Sequence, residues 1–200
     1  SYHLLAQYGP AWTNRFESLY VSMPENVAML YWPGLPWGLD ADPELDITQE
    51  QWYTIATEAN NPQRKPVWTG LYFDKTAKDW MVSLETPVDL ESQHLITIGH
   101  DILLVDVIDR IIHDKLEGTY NFLVSLDGQI IVHPNDEKIM KSGIDELPTS
   151  AQNDPKLKTM VNKIITANQA ADENVIINFD EAEQAWMAIA RIKGPDWLLV

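Results

Sequence analysis

One order of elements, two strands followed by a helix and three further strands, is predicted twice in succession along this chain. Runs of branched and aromatic residues bounded by turn residues predict the strands. Asp46 or Thr48 can cap the first helix, and Thr48 and Gln51 have the spacing of a capping box. The first set comprises strands at 16–23 and 27–32, a helix at about 48–60, and strands at 67–74, 79–87 and 94–101. Each set can form an antiparallel sheet with a helix across it.

A long helix separates the two sets. Apolar residues at helical spacing predict it from about Leu103 to Leu116, and Gly118 is expected to end it. The second set comprises strands at 119–126 and 129–133 around the hairpin signal Asp127-Gly128, a helix at about 154–167, and strands at 175–179, 185–192 and 197–200. We therefore predict an α+β fold of two tandem modules joined by this helix, with residues 1–108 in the first and 109–200 in the second.

Charge and composition exclude several functions. The chain has 200 residues with 30 acidic and 14 basic side chains and a formal net charge of −16, and such a surface repels nucleic-acid phosphates and anionic lipid headgroups. No cysteine is present, which excludes disulfides and thiolate metal sites. No apolar run approaches the roughly 20 residues that a membrane span needs. The chain begins without methionine and stops inside the apolar run Trp197–Val200, so we expect a portion of a longer protein.

The sequence carries no catalytic signature. Gly-x-Ser-x-Gly, phosphate-loop and dinucleotide-binding patterns are absent, and the five histidines lack metal-ligand spacing. The acidic loop from Asp40 to Asp46 lacks the regular spacing of an EF-hand. We therefore predict a protein that is not an enzyme, with no catalytic residues, no metal site and no cofactor.

Aromatic residues are concentrated in the first module. Six of the eight tryptophans and six of the seven tyrosines precede residue 81. Aromatic crowding is typical of ligand pockets, although core packing explains it equally well. The Pro- and Gly-rich loop at 33–38 carries Trp37, which can close over such a pocket or plug the edge of the sheet.

Four parts of the sequence resemble the double Cache family of sensor domains. They are Trp68–Asp74 with Trp80–Ser83 and Thr86–Val88, similar to the central strands; Ile98–Ile102, similar to the last distal strand; Asp127–Pro134, similar to the proximal hairpin; and Gly194–Trp197, similar to the turn into the final strand. The resemblance implies two PAS-like (Cache) modules, a membrane-distal ligand-binding module at 1–108 and a membrane-proximal module at 109–200. It also implies the periplasmic or extracellular part of an inner-membrane receptor that is anchored by flanking transmembrane helices and is a homodimer at full length.

On this basis we predict an extracytoplasmic small-molecule sensor domain of a transmembrane signal-transduction receptor. The output that we favour is a two-component sensor histidine kinase, and the alternatives are a diguanylate cyclase or a chemoreceptor. A secreted carbohydrate- or solute-binding module is the competing class, since aromatic side chains also stack on sugars. A hydrolase that uses Asp and His is the third alternative.

A motif of the family locates the expected ligand site. Members that bind amino acids carry Arg-x-Trp-Tyr-x-x-Ala, a later tyrosine, and an aspartate that ends the last strand. Trp52, Tyr53 and Ala56 match the first part of this motif, Tyr72 can supply the later tyrosine, and Asp101 matches the aspartate. The predicted ligand-binding residues are Trp52, Tyr53, Trp68, Tyr72, Asp74 and Asp101. Alternatively, Trp52 and Tyr53 are core residues and Asp101 caps the connecting helix.

The arginine position of this motif holds Glu50. An arginine would grip a ligand carboxylate in a bidentate contact, whereas a glutamate repels it. Aromatic faces together with Asp101 suit a cation, so we predict a small amine or other cation as the ligand. The alternative is an acidic ligand that pairs with Arg64 or Lys65, which lie just before the strand carrying Trp68.

Overall fold

The computed structural model describes residues 2–136, 153–171, 173–181 and 183–200. The chain divides into two units, Ser1–Leu104 and Val105–Val200, and each contains one antiparallel sheet. The division lies at the start of the helix that follows the first sheet, close to the predicted boundary at residue 108. The predicted α+β fold of two tandem modules is confirmed.

The first unit contains a sheet accompanied by short helices. Its elements are helix α1 (Tyr2–Tyr8), strands β1 (Ser18–Met23) and β2 (Val27–Tyr31), helices α2 (Trp37–Asp40) and α3 (Gln51–Thr54), and strands β3 (Val67–Trp68), β4 (Tyr72–Asp74), β5 (Asp79–Leu90) and β6 (Gln93–Leu103). The strand order is β2-β1-β6-β5-β3, with β4 also paired to β5, and these pairings are antiparallel. Strands β1, β6 and β5 therefore form the centre of the sheet.

The second unit repeats this strand order. Its described elements are helix α4 (Leu104–His113), which begins at the last residue of the first unit, strands β7 (Leu123–Ser125) and β8 (Ile130–Val132), helix α5 (Pro155–Ala170), and strands β9 (Val175–Asp180), β10 (Ala185–Ile192) and β11 (Trp197–Leu199). The order β8-β7-β11-β10-β9 matches that of the first sheet, with β9 in the place of β3 and β4. Asp154 caps α5 by accepting hydrogen bonds from two backbone amides of the first turn. The buried core between helix and sheet comprises Phe122, Val124, Ile130, Leu157, Val161, Ile164, Ile189 and Leu198.

One face of the first sheet is polar although it is buried. Alternate residues of a strand point to the same face, so Tyr20 of β1, Gly99 of β6 and Glu85 of β5 lie side by side across three strands. We call this face the polar floor, and its two cross-strand rows are Tyr20–Gly99–Glu85 and Ser18–Asp101–Ser83. The polar side chains of both rows are buried, so their hydrogen bonds must be made within the protein.

The absence of a side chain at Gly99 lets Tyr20 reach across the sheet. The Tyr20 ring lies over Gly99, and Tyr20 Oη donates a hydrogen bond to Glu85 Oε1. A Cβ at position 99 would overlap this ring. The glycine therefore fixes the path of the tyrosine and, through it, the position of the Glu85 carboxyl group.

The helix predicted at 48–60 is wrong in its length. Only α3 and a capped 3-10 turn at Ile47–Gln49 are helical in this segment. Thr57 Oγ1 and Asn60 Nδ2 both donate to the Thr54 carbonyl, at 2.7 and 2.8 Å. Because these side chains occupy an acceptor that a longer helix would use, the segment continues as turns.

Two further elements differ from the prediction. The strand predicted at 67–74 is split into β3 and β4, because the Ser83 backbone N–H donates to Thr69 Oγ1, at 2.8 Å, instead of to a backbone carbonyl. Helix α4 ends at His113, before the predicted end at Leu116. Gly118 lies in the turn beyond, where its φ of 77° is one that glycine adopts without strain.

Gly99→Ala is expected to destabilise the chain, because the added Cβ overlaps the Tyr20 ring and displaces the donor to Glu85. Overpacking of a buried site costs about 1–3 kcal/mol. Urea unfolding followed by circular dichroism measures this loss. In the control Gly38→Ala, nothing lies within 4 Å of the added atom, so a change below about 0.5 kcal/mol is expected. Equal stability of the two variants would contradict the position of Tyr20.

Candidate ligand-binding site

A small cavity lies between the polar floor and a layer of aromatic side chains in the first unit. It is lined by Tyr20, Leu30, Trp37, Trp52, Tyr72, Asp74 and Asp101. The centre of a water-sized sphere can occupy about 10 Å³ between these side chains, which is about enough for one water molecule. Four of the six predicted ligand-binding residues, Trp52, Tyr72, Asp74 and Asp101, therefore meet around one cavity.

The strands supply the carboxylates of this site, and helices α2 and α3 supply its tryptophans. Tyr72 and Asp74 are two residues apart on β4 and therefore share a face. Asp101 lies near the end of β6. Trp52 of α3 contacts Tyr20 edge-on, with 5.5 Å between the ring centroids. This geometry is typical of attractive aromatic pairs and holds the layer against the floor.

Asp101 is buried with hydroxyl groups as its hydrogen-bond partners. Ser18 Oγ donates to its Oδ2 at 2.5 Å, and Ser83 Oγ donates to its Oδ1 at 2.6 Å. The Tyr72 hydroxyl lies 2.8 Å from Ser83 Oγ, which extends the chain of hydroxyls to the cavity wall. Burial raises the pKa of Asp101 to about 6, although the two serine hydroxyls oppose this shift.

Glu85 is a second buried carboxyl group of the polar floor. Its Oε1 accepts the hydrogen bond from Tyr20, while its Oε2 has no hydrogen-bond partner among the described residues. Burial raises the pKa of Glu85 well above its usual range, and the negative charge of Asp101 raises it further. Burial therefore favours the protonated form of Glu85.

Trp37 closes the cavity through a contact with Asp74. Its Nε1–H lies 3.1 and 3.2 Å from the two carboxylate oxygens of Asp74. Asp74 Oδ1 also accepts hydrogen bonds from the backbone amides of Thr76 and Ala77, at 2.8 and 2.7 Å. The Trp37 ring packs edge-on against Trp52, with 6.5 Å between centroids. The turn after β4 thus fixes the carboxylate, and the carboxylate fixes the indole.

The other two predicted residues, Tyr53 and Trp68, do not line the cavity. Tyr53 belongs to the same buried cluster as Trp37 and Trp52 but packs edge-on against His94, with 6.1 Å between centroids. Trp68 lies on β3 and pairs with Leu84 of β5. A ligand role for these two residues stays a prediction.

Three lining residues were not among the predicted ligand-binding residues. The sequence marks Trp37 as a residue that can close over a pocket, but it does not single out Tyr20 or Leu30. Their positions depend on strand register. The alternation of Ser18, Tyr20 and Ser22 with apolar residues along β1 is the signal of a distinct face, and without the register nothing shows that this face is buried.

Arg64, the alternative anchor for an acidic ligand, is engaged away from the cavity. Its Nε and Nη2 donate to the two Asp89 carboxylate oxygens at 2.8 and 2.6 Å, and its Nη1 donates to the Ala56 carbonyl. Nη2 also lies 2.6 Å from His94 Nδ1. These contacts tie the segment after α3 to the β5–β6 hairpin. Among the described residues that line the cavity there is no Lys, Arg or His.

The chemistry available at the site is that of carboxylates, hydroxyls and aromatic rings. Within the described ranges, no group of three or more His, Asp or Glu side chains is arranged to hold a metal ion.

No helix in the described part of the chain has the length and apolar character needed to cross a membrane.

Asp101 is expected to make stability depend on pH. Its pKa is raised from an ordinary 3.8 to about 6, so between these values the folded chain holds a proton that the unfolded chain has released. The free energy of unfolding therefore falls as the pH rises from about 4 to 6, by up to about 3 kcal/mol. Asp101→Asn lacks the titrating group, so the stability of the wild type relative to this variant is expected to decline over that window. Urea unfolding at pH 4.5 and 7 measures it, and a difference that does not change with pH would contradict the burial of Asp101.

Two curated proteins are similar in sequence to this chain. No family model matches the chain. Methyl-accepting chemotaxis protein PscA of Pseudomonas syringae pv. tomato is 29% identical over 162 residues, which cover 80% of this chain and 24% of that protein. Methyl-accepting chemotaxis protein PctB of Pseudomonas aeruginosa is 30% identical over 119 residues, which cover 59% of this chain and 18% of that protein. The chain thus spans a quarter or less of these curated relatives.

Solved structures similar to this chain are ligand-binding domains of amino acid chemoreceptors. The domain of PctC from Pseudomonas aeruginosa in complex with GABA has a TM-score of 0.61 and 18% identity, and the match covers 100% of this chain and 78% of that one. The domain of PctB in complex with L-Gln has a TM-score of 0.58 and 20% identity, and the match covers 95% and 69%. These relatives are ligand-sensing domains and not catalytic domains, as predicted for this chain. The chain therefore has the tandem PAS-like fold of the double Cache sensor domains, and the resemblance read from its sequence is confirmed at the level of the fold.

Proposed function

We propose that this chain is the extracytoplasmic sensor domain of a chemotaxis receptor and that it binds a small amine in its first unit. One observation carries the ligand class: two carboxylates, Asp74 and Asp101, line a buried aromatic cavity that no described basic side chain lines. A buried carboxylate without a cation is unfavourable, and an ammonium group supplies the missing charge. The aromatic faces of Trp52 and Tyr72 add cation–π attraction.

A ligand carboxylate has no counterpart at this cavity. Glu50, at the position where amino-acid binders carry arginine, precedes α3 and does not line the cavity. Arg64 is paired with Asp89. The ligands named for the similar structures, L-Gln, L-Arg and GABA among them, share an amino group, and this part of the ligand suits Asp101 and Asp74. We therefore favour an amine without a carboxylate over an amino acid.

The relatives support one receptor class. Both curated relatives are chemotaxis proteins, so they support the chemoreceptor alternative over the histidine kinase that the sequence analysis favoured. In this proposal the first unit is the membrane-distal module and the second is the membrane-proximal module of a periplasmic domain. Flanking transmembrane helices anchor the parent receptor, which acts as a homodimer. A carbohydrate-binding role is less well supported, because a buried pair of carboxylates selects charge rather than a neutral sugar.

Thermal unfolding in the presence of candidate ligands tests the ligand class. Primary amines are expected to stabilise the chain, by about 2.7 kcal/mol at 100 times the dissociation constant, whereas dicarboxylates and neutral sugars are not. Asp101→Asn is expected to abolish the stabilisation by amines without unfolding the protein. Glu58→Gln removes one exposed negative charge from the same unit and serves as the control. Stabilisation by dicarboxylates but not by amines would refute the proposal and indicate Arg64 or Lys65 as the anchor.

The affinity for an amine is expected to weaken as the pH falls. An ammonium group pairs with ionised Asp101, and a proton on the carboxylate removes that charge. Because burial raises the pKa of Asp101 to about 6, the affinity should level off above about pH 7 and fall about tenfold for each pH unit well below 6. Isothermal titration calorimetry between pH 5 and 8 measures this slope. An affinity that rises towards pH 5 would rule out an ionised Asp101 as the partner.

A further inference from the structure

We propose that Trp37 is a lid that competes with the ligand for the Asp74 carboxylate, and that it thereby sets the affinity which a ligand must reach to occupy the site. This inference rests on the proposed function, since it concerns the same cavity. It assigns to Trp37 a role that is distinct from that of a fixed wall.

The cavity is too small for an amine unless a side chain moves. The space between the lining side chains is about that of one water molecule. An amine with even a few carbon atoms is larger than this space. At least one lining side chain must therefore move when such a ligand enters.

Trp37 is the lining side chain that moves. Tyr20 and Tyr72 are hydrogen-bonded to neighbouring residues of the sheet, and Trp52 is buried beside Tyr20. Trp37 differs because it is the only buried residue of α2, a four-residue helix without a side-chain cap, whereas α3 buries both Trp52 and Tyr53. The adjacent Gly38 has open space around it, since nothing lies within 4 Å of the position that a Cβ would occupy there.

The contact with Asp74 holds Trp37 in place. Its indole N–H is a neutral donor to both oxygens of Asp74, at 3.1 and 3.2 Å. Hydrogen bonds between an ammonium group and a carboxylate are shorter and about twice as strong as those between neutral groups. A ligand ammonium can therefore replace the indole at Asp74, and the carbon atoms of the ligand can take the space that the ring leaves.

Competition for Asp74 selects charged ligands over neutral ones. Every ligand must first break the contact between Trp37 and Asp74. An ammonium group recovers this cost through a charged hydrogen bond, whereas an alcohol of the same shape offers a neutral donor no stronger than the indole. The lid thus lowers the affinity of every ligand by the same factor. Charged ligands still bind after this loss, whereas neutral ligands of the same shape do not.

Substitution of Trp37 by phenylalanine separates a lid from a wall. Trp37→Phe keeps an aromatic ring but has no N–H to hold Asp74, so n-butylamine is expected to bind about tenfold more tightly than to the wild type, which corresponds to about 1.4 kcal/mol. Binding of 1-butanol should strengthen by a similar factor. Trp186→Phe makes the same change at an exposed tryptophan of the second unit and should leave both affinities unchanged. Unchanged or weaker binding of n-butylamine to Trp37→Phe would overturn the proposal.

A second measurement tests the lid without any ligand. In protein labelled with 5-fluorotryptophan, the ¹⁹F resonance that is missing from Trp37→Phe belongs to Trp37. Asp74→Asn is expected to shift this resonance towards that of an exposed tryptophan and to make it sensitive to exchange of H₂O for D₂O. A Trp37 resonance that stays buried in Asp74→Asn would overturn the lid. Release of Trp37 in this variant, with no binding of n-butylamine to the wild type or to Trp37→Phe, would support the lid and reject the proposed amine ligand.

Discussion

The buried carboxyl group of Asp101 is the feature on which the first unit depends. It lies under the cavity with the hydroxyl groups of Ser18 and Ser83 as hydrogen-bond donors, and no described base is paired with it. Hydroxyls hold the carboxylate in position but do not neutralise it, so its burial keeps the pKa near 6. In the proposed function, an ammonium group of the ligand supplies the positive charge that the described residues lining the cavity lack.

The two units show how one strand order serves two purposes. In the second unit, the 16-residue helix α5 covers an apolar sheet face through a hydrophobic cluster, and the buried polar residues His133, Asp136 and Asp180 lie outside that cluster. In the first unit, the region between β2 and β3 has the four-residue helices α2 and α3 in place of one long helix, and aromatic rings cover a face that contains buried carboxyl groups. A continuous apolar core favours stability, whereas buried polar groups lower it and create a place where a ligand can restore it.

Sequence patterns predicted the order of elements well, because hairpin signals and helical spacing are local. The strand Ala185–Ile192 was predicted with its exact bounds, and the Asp127-Gly128 hairpin is present. The helix at 48–60 was overestimated because the side chains of Thr57 and Asn60 compete for a backbone carbonyl, which hydrophobic spacing does not show. For the site, the family motif indicated Trp52, Tyr72 and Asp101, and the separately predicted Asp74 lies on the same strand as Tyr72. It could not indicate the Tyr20–Gly99–Glu85 row, whose members are far apart in sequence and become neighbours only through strand register.

Asp74 and Asp101 each connect the cavity to a segment of the chain that continues beyond it. Asp74 holds Trp37 and therefore the loop that carries α2, while Asp101 lies three residues before the first residue of α4. Strand β6 ends at Leu103, and α4 begins at Leu104 without an intervening loop. In the proposed function, a cation that neutralises Asp101 would act on the last residues of β6, where the chain passes directly from strand into helix.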